Sequence, residues 1–469
     1  MAASLKIVVL DDDPTGSQTV HGCPLLLRWD HQTLQQGLAH PSPLLFLLAN
    51  TRALDPAAAA ERVREICRAL KPALLEAREQ GALERWLLVS RGDSTLRGHF
   101  PLECDVIAAE LAEVVDATLL VPAFLPGGRT TRAGVHRLHG EPVHTTPFAS
   151  DRLFSYSTSY LPDWIEQKSG GLRSAAAVQH IGLEELDGAA AAGAGFDRLC
   201  DRLAALQHNT DVTVDAERES QLASLGAAVR LVTDPSAAAR WGRPRHFLVQ
   251  SAASLLNGLV EIGEQPLDIQ GLVALRRRDA AGCLLPGLVQ VGSHVPLADA
   301  QLQRLLQAPG CQGVELDVVK VARVLEGPVP APLLASLERH WRQQLQEVLA
   351  ADCTPVLFTS RGELACRHAA ERRRLGWELA LLMARLVAGL APQLGYVVSK
   401  GGITTHTLLA EGLALDVVEL QGQLLPGLSL VLTPPTGMVP SLPVVTFPGN
   451  LGDATTLHQC WALFEAAGG

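Results

Sequence analysis

The chain alternates two kinds of stretch: short runs that are apolar at nearly every position, and longer segments in which apolar residues return every three or four positions. Runs of the first kind lie at 6–10, 44–49, 86–90, 118–122, 212–214 and 246–250. A strand that is apolar on both faces fits a parallel sheet covered on both sides. Between these runs, 57–79 and 102–115 carry helix-period apolar residues among strong helix formers. Strand, helix, strand alternation predicts an α/β domain with right-handed crossovers.

The theme returns in the second half, with strand candidates at 287–291, 313–316, 355–359, 396–399, 416–419, 429–432 and 444–447. The expected organisation is therefore two α/β domains with mainly parallel sheets, over 1–265 and 287–469. The intervening 266–286 is expected as a linker or hinge, because it holds the basic cluster Arg276, Arg277, Arg278 and the turn-prone Ala281 and Gly282. The Ala/Gly-rich 187–195 is expected as a surface loop. Its Gly193, Ala194, Gly195 does not make a dinucleotide fingerprint, since the last glycine of that motif would fall on Arg198 and no strand leads into it.

Composition narrows the function classes. With 469 residues, 47% hydrophobic and 19% charged, the chain can bury a core in each domain. A formal charge of -10 argues against binding nucleic acid through a large basic surface. Nine cysteines form no C-x-x-C pair, which suits reduced thiols. The apolar stretch before Asp11 is too short for a signal peptide, so a cytoplasmic location is expected. Residues 420–452 are uncharged, but six prolines within them read as strands and loops and not as a membrane span.

Candidate chemistry collects where the apolar runs end. The first run leads into Asp11, Asp12, Asp13, Pro14, Thr15, Gly16, Ser17, and in open α/β sheets ligands gather at the carboxyl ends of strands. Adjacent carboxylates repel unless a cation, a hydroxyl-rich ligand or a basic partner neutralises them. The plain alternative is a solvated acidic turn. The third run leads into Ser90, Arg91, Gly92, Asp93, Ser94, Thr95, Leu96, Arg97, Gly98, His99, where two arginines supply forked donors for a carboxylate or phosphate. Helix capping with surface ion pairs is the alternative there. After the fourth run, Arg129 and Thr130 are expected on a loop as further ligand contacts. His136, His139 and His144 lack an acidic partner at helical spacing, so no three-histidine metal site is expected.

In the second half, 396–399 leads into Lys400, Gly401, Gly402, Ile403, Thr404, a turn and helix start whose N–H groups suit an anion. Pro448, Gly449, Asn450, Leu451, Gly452 follow the last strand candidate, and Gly292 and Ser293 follow the first. Three such loops in one domain favour a nucleotide site over ordinary turns. No G-x-x-x-x-G-K-[ST] is present, and of the five lysines only Lys400 stands in a candidate phosphate loop.

Together these motifs resemble the four-carbon acid sugar kinase family over nearly the whole chain. Its Asp-Asp-x-Thr-Gly stands as Asp12, Asp13, Pro14, Thr15, Gly16, and its Arg-x-Asp-Ser-Thr-x-Arg-Gly as Arg91, Asp93, Ser94, Thr95, Arg97, Gly98. Gly128, Arg129, Thr130, Thr131 and Val214, Asp215, Ala216 match further stretches. The resemblance implies a sugar-binding N-terminal domain and a nucleotide-binding C-terminal domain with the active site in the cleft between them. It also implies ATP and Mg²⁺ as cofactors, and phosphorylation of an acid such as threonate, erythronate or 3-oxo-tetronate. Asp12, Asp13 and Asp93 are the expected catalytic carboxylates, with Asp12 first. Thr15, Gly16, Arg91, Ser94, Thr95, Arg97, Arg129 and Thr130 are the expected substrate contacts. Ser293, Lys400, Gly401, Gly402, Thr404, Gly449, Asn450 and Gly452 are the expected nucleotide contacts. The chain departs from the pattern at the last loop, where many relatives read Lys-Ser-Gly-Asn-Phe-Gly and Phe447 stands in place of the lysine. That loss motivates a second class, a sugar-acid-binding protein or sensor with weakened catalysis. The expected partners are the sugar acid and ATP, with no nucleic acid or membrane, and assembly as a homodimer is compatible with the reading.

Overall fold

Parallel strands that are buried on both faces form the centre of each half of the chain. The computed structural model describes all residues except 1–4, 17–18, 112–113, 190–192, 261, 363–368 and 467–469. The chain forms two compact units, Met1–Glu264 and Gln265–Gly469.

The first unit contains β1 (Leu5–Asp11), β2 (Cys23–Leu26), β3 (Leu44–Leu48), β4 (Arg85–Arg91), β5 (Ala117–Val121), β6 (Arg129–Arg132), β7 (Val135–Leu138), β8 (Glu141–Pro142), β9 (Gln179–Ile181), β10 (Thr210–Val214) and β11 (Phe247–Ser251). Its main sheet runs β2-β3-β1-β4-β11-β5-β10-β9 and is parallel at each of these pairings. Every side chain of β3 is buried, as a strand covered on both faces requires. The covering helices start on local signals: Asp55 accepts the N–H of Ala58 and Pro56 opens helix Pro56–Glu79. From β1 the chain moves to β3 on one side and then to β4 on the other, so the direction of winding reverses at β1/β4.

The second unit contains β12 (Gly287–Val291), β13 (Cys311–Leu316), β14 (Thr354–Thr359), β15 (Tyr396–Lys400), β16 (Val417–Leu425), β17 (Leu428–Leu432) and β18 (Pro443–Phe447). Their order is β13-β14-β12-β15-β18-β17-β16, parallel from β13 to β18 and antiparallel through β17 and β16. The core is built on Val289, Val291, Val356, Val398, Val445 and Phe447, with Tyr396 stacked on Phe464. Here the winding reverses at β12/β15.

Several expectations need correction. Arg129 and Thr130 lie on β6, the first strand of a three-stranded antiparallel sheet β6-β7-β8, and not on a loop. The segment 187–195 is not one loop, because helices Leu183–Gly188 and Ala194–Ala204 enter it from both sides; residues 190–192 lie outside the described residues. The segment expected as a linker carries helix Ile269–Val273 and is tied down within the second unit. The buried Arg276 donates to Leu285 O and Phe464 O, and Arg277 to the carbonyls of Ala391 and Leu394. His136 is fully buried between Thr131 Oγ1 and Ser94 O, with burial pushing its imidazole down to about 4, so it is a neutral structural residue. Among the described residues one helix, Glu371–Gln393, is long and apolar enough to cross a membrane; its Leu382, Met383, Leu386 and Val387 are buried inside the protein.

Candidate active site

Strand register sets the first cluster. Leu48, Asp11, Arg91, Ser251 and Val121 end five neighbouring strands at one level, each paired with the next. The ladder continues beyond them: Asp12 N donates to Arg91 O, Arg52 N to Asp12 O, and Gly92 N to Ser251 O. The loops after β1, β3 and β4 are thereby held side by side at the reversal point, where α/β sheets open a crevice.

Four acids and three arginines meet there. Asp12 is buried and accepts from Arg52 Nε at 2.9 Å, Arg52 Nη2 at 2.5 Å and Arg91 Nη1 at 3.2 Å. Arg52 also lies 3.6 Å from Asp13 and 4.0 Å from Asp93. Arg97 Nε donates to Asp93 at 2.7 Å, and the Thr95 hydroxyl donates to the same carboxylate. Asp13 accepts from the N–H and hydroxyl of Thr15. Burial alone would raise both carboxyls. Arg52 and Thr15 outweigh it at Asp13, and Arg97, Arg52 and Thr95 outweigh it at Asp93, so both are held below the usual carboxylate range. Asp11 takes the opposite course: it is fully buried, and burial pushes it up to about 7 against the opposing pull of Arg91. Gly16 packs so closely on this group that a Cβ would come within 2.1 Å of Asp11 Oδ1. Ser17 lies outside the described residues.

The expected residues are unequally open. Arg97 lines a small pocket with Asp12, Gly92, Asp93, Leu96, His99, Glu103 and Gln250. Arg91 is buried, with its guanidinium committed to Asp11 and Asp12. Arg129 is half-buried over the Phe124 ring and donates to Gly127 O. The Asp93–Arg97 loop is held from outside, by the Tyr156 hydroxyl on Thr95 O and His136 on Ser94 O. Leu96 sits within it at φ 64°. Arg52 and Glu103 are members that the motif reading missed. Arg52 follows the end of β3, so the strand-end rule already applied to β1 and β4 would have found it.

In the second unit Val291, Lys400 and Phe447 are likewise level on adjacent strands. Gly292 N donates to Lys400 O and Gly401 N to Phe447 O, which sets the three glycine loops together. A Cβ on Gly292 would lie 2.0 Å from Thr404 Oγ1, and one on Gly449 2.7 Å from Ser293 Oγ. Gly401 has φ 114°, a conformation that L side chains rarely adopt, at the N-cap of helix Gly402–Thr407. Asn450 is half-buried and Gly452 exposed in the last turn. Lys400 is fully buried: Nζ donates to Pro448 O at 2.9 Å and Gly449 O at 3.3 Å and lies 4.0 Å from the Phe447 ring centroid. It therefore braces the loop from beneath instead of standing on its open side. Burial lowers its ammonium to about 7. Arg361, another residue the motifs did not reveal, ties Ser293 O to Asp299.

No group of three or more His, Cys, Asp or Glu suited to a metal is present among the described residues. The described residues do not provide a metal cage.

Two α/β units, one with an acid and arginine crevice and one with converging glycine loops, define a two-domain enzyme handling an anionic polyol and a nucleotide. Residues 7–259 match the model of a sugar-binding N-terminal domain, and 288–457 that of a nucleotide-binding C-terminal domain. The chain belongs to the four-carbon acid sugar kinase family. It is 30% identical to the D-threonate kinase of Bordetella bronchiseptica, covering 96% of this chain and 95% of that protein. A solved structure from Salmonella typhimurium LT2 shares the fold with TM-score 0.64 at 18% identity, covering 97% of this chain and 98% of the other. Haemophilus influenzae protein HI1011 does so with TM-score 0.57 at 14% identity, covering 97% and 100%.

Proposed function

We propose that the chain transfers the γ-phosphoryl group of ATP to a hydroxyl of a small sugar acid, with a four-carbon acid such as threonate, erythronate or 3-oxo-tetronate as substrate. The observation that carries this reading is the meeting of both acidic and arginine motifs at the β1/β4 reversal point, in a chain related along its length to a D-threonate kinase.

In this reading the first domain, 1–265, holds the acid. Arg97 pairs with the substrate carboxylate, while Ser94, Arg129 and Thr130 meet its hydroxyls; Thr15 and Thr95 hold Asp13 and Asp93 in place, and Gly16 lets its loop pack on Asp11 and Arg91. Arg91 acts from behind by fixing Asp12. Phosphoryl transfer asks mainly for positioning and charge stabilisation. Asp12 orients the attacking hydroxyl, with Asp13 and Asp93 completing the acidic group. The second domain, 287–469, places the phosphates against the N–H groups of Ser293, Gly402, Thr404, Gly449, Asn450 and Gly452, with Gly401 turning the chain into the helix and Lys400 bracing the last loop. Mg²⁺ would be held chiefly by the ATP phosphates with one or two carboxylates of the acidic group, and would neutralise the charge that develops on the phosphates. A cytoplasmic location and a homodimer belong to the same proposal.

Arg97→Ala is expected to raise the sugar-acid KM about tenfold, the low end of a charge-assisted bond of about 1.5–3 kcal/mol because Asp93 already shares the guanidinium. The KM for ATP stays unchanged. Equal KM values for the acid in parent and variant would remove Arg97 from the carboxylate contact.

The assignment is tested by ATP consumption across four-, five- and six-carbon sugar acids. Turnover confined to four-carbon acids is expected. The loop 448–452, which has no lysine of its own, favours the second reading of a binding protein with weakened catalysis. Acid binding without ATP consumption would select it.

A further inference from the structure

The sequence motifs offer three aspartates for the proton of the attacking hydroxyl, yet in the folded unit all three are engaged by cations. Both oxygens of Asp12 accept from guanidinium groups. Asp93 is bound by Arg97 and the Thr95 hydroxyl, and Asp13 by the Thr15 N–H and hydroxyl with Arg52 at 3.6 Å.

Glu103 differs from them. It stands in the first turn of helix Leu102–Leu111, is 94% buried by its 6% exposure, and lines the same pocket as Asp12, Asp93 and Arg97. Its Oε2 accepts from Ser90 Oγ at 3.2 Å. Its Oε1 is buried and completes no hydrogen bond of good geometry, although the Thr51 hydroxyl lies beside the carboxyl. An acid needed only to complement the helix dipole would serve equally well in solvent. A buried carboxyl with one oxygen lacking a hydrogen bond of good geometry, on a side chain that lines a pocket, is a costly arrangement that a bound hydroxyl would relieve.

Resting on the kinase reading above, we infer that Glu103 is the catalytic carboxylate that accepts the proton of the attacking substrate hydroxyl, while Asp12 orients that hydroxyl. The substrate O–H proton passes to Glu103 Oε1. The oxygen lone pair forms the new O–P bond at the γ-phosphorus, and the bond from that phosphorus to the β,γ-bridging oxygen breaks, its electrons leaving with ADP. Glu103 then returns its proton to solvent.

The electrostatics agree. Burial, reinforced by Asp12, pushes Glu103 up to about 7, whereas Asp13 and Asp93 are held low. A base works best when its pKa lies near the working pH, and environments that drive neighbouring carboxyls apart assign their roles. Asp11 is also pushed up to about 7, but Gly16 and Arg91 pack directly on it and it does not line the pocket. The charged and titratable groups around Glu103 are Asp12 and Arg52 from the loops after β1 and β3, Asp93, Arg97 and His99 from the loop after β4, and Cys104 on its own helix.

The test is the pH dependence of kcat and kcat/KM in the parent, in Glu103→Gln and in Glu103→Asp. The parent is expected to gain activity as pH rises through about 7. Glu103→Gln should lose at least about a hundredfold in kcat, the lower range for general base catalysis, with an unchanged KM for ATP and without that acid limb. The nucleotide's own titration is common to both proteins and cancels in the comparison. Glu103→Asp should recover part of kcat with a displaced limb, and it carries the comparison if the Gln variant does not fold. A Gln variant within about threefold of an active parent, with the limb retained, would return the proton to Asp12 and overturn only this inference. A parent that phosphorylates no sugar acid would overturn the kinase reading itself.

Discussion

Arg52→Ala is expected to lower unfolding stability by about 3–5 kcal/mol and to reduce kcat/KM for the sugar acid by two orders of magnitude or more. Removing one member of a buried ion pair leaves its partners charged and unpaired. Here a single guanidinium serves three carboxylates, at 2.5 Å from Asp12, 3.6 Å from Asp13 and 4.0 Å from Asp93. The effect has a signed pH dependence. Asp13 and Asp93 are held below their unfolded values partly by Arg52, so the stability they contribute is present above about pH 4 and is lost as pH falls through their lowered folded values. Parent and variant should therefore differ most at neutral pH and converge in acid. Denaturant titrations at pH 7 and then stepped downward from about pH 4 to about pH 1.5 check this, with convergence expected only at the acid end. Arg52→Lys restores charge but not the fork on Asp12 and should recover only part of either loss. A neutral-pH stability within 1 kcal/mol of the parent would mean that solvent already screens the cluster.

The second large effect is expected at Lys400. Lys400→Met keeps the volume beneath the last glycine loop and removes the donor to Pro448 O and Gly449 O. Hydrogen bonds from a charged group are worth about 1.5–3 kcal/mol, so the dissociation constant of a non-hydrolysable ATP analogue should rise roughly ten- to a hundredfold. Sugar-acid binding should not change. Because burial lowers the ammonium to about 7, its charge is present below that pH and lost above it. The gap between parent and variant should be wide at pH 6 and narrower at pH 8. Calorimetric titration at both values measures it, and equal affinities throughout would leave Lys400 a filler of the core.

The same residue illustrates where a sequence stops being legible. All thirteen strand candidates fall on strands, because a parallel strand buried on both faces must be apolar throughout and the chain marks that directly. Strands of two to four residues, such as β2, β8 and β9, are too short for any periodicity, and the β6-β7-β8 sheet hid inside a polar run that reads as a loop. The aspartate and arginine clusters were visible as motifs. Their internal pairing was not, since it depends on Arg52 arriving beside Asp12 from the loop after a different strand, β3, which ends level with Asp11. Glu103 and Lys400 share a further obstacle. Burial defines both, and no local pattern announces that a glutamate in a helix's first turn or a lysine at a strand end will be enclosed.

The central claim, that an acid and arginine crevice in one domain and glycine loops in the other serve one phosphoryl transfer, is tested most directly by following the label of γ-labelled ATP. Parent protein, Mg²⁺, labelled ATP and threonate, erythronate or 3-oxo-tetronate should give the label in a phosphorylated four-carbon acid in amounts equal to ADP formed, and Arg52→Ala should give almost none. Binding of both ATP and acid with the label retained in ATP, or released only as inorganic phosphate, would contradict the account.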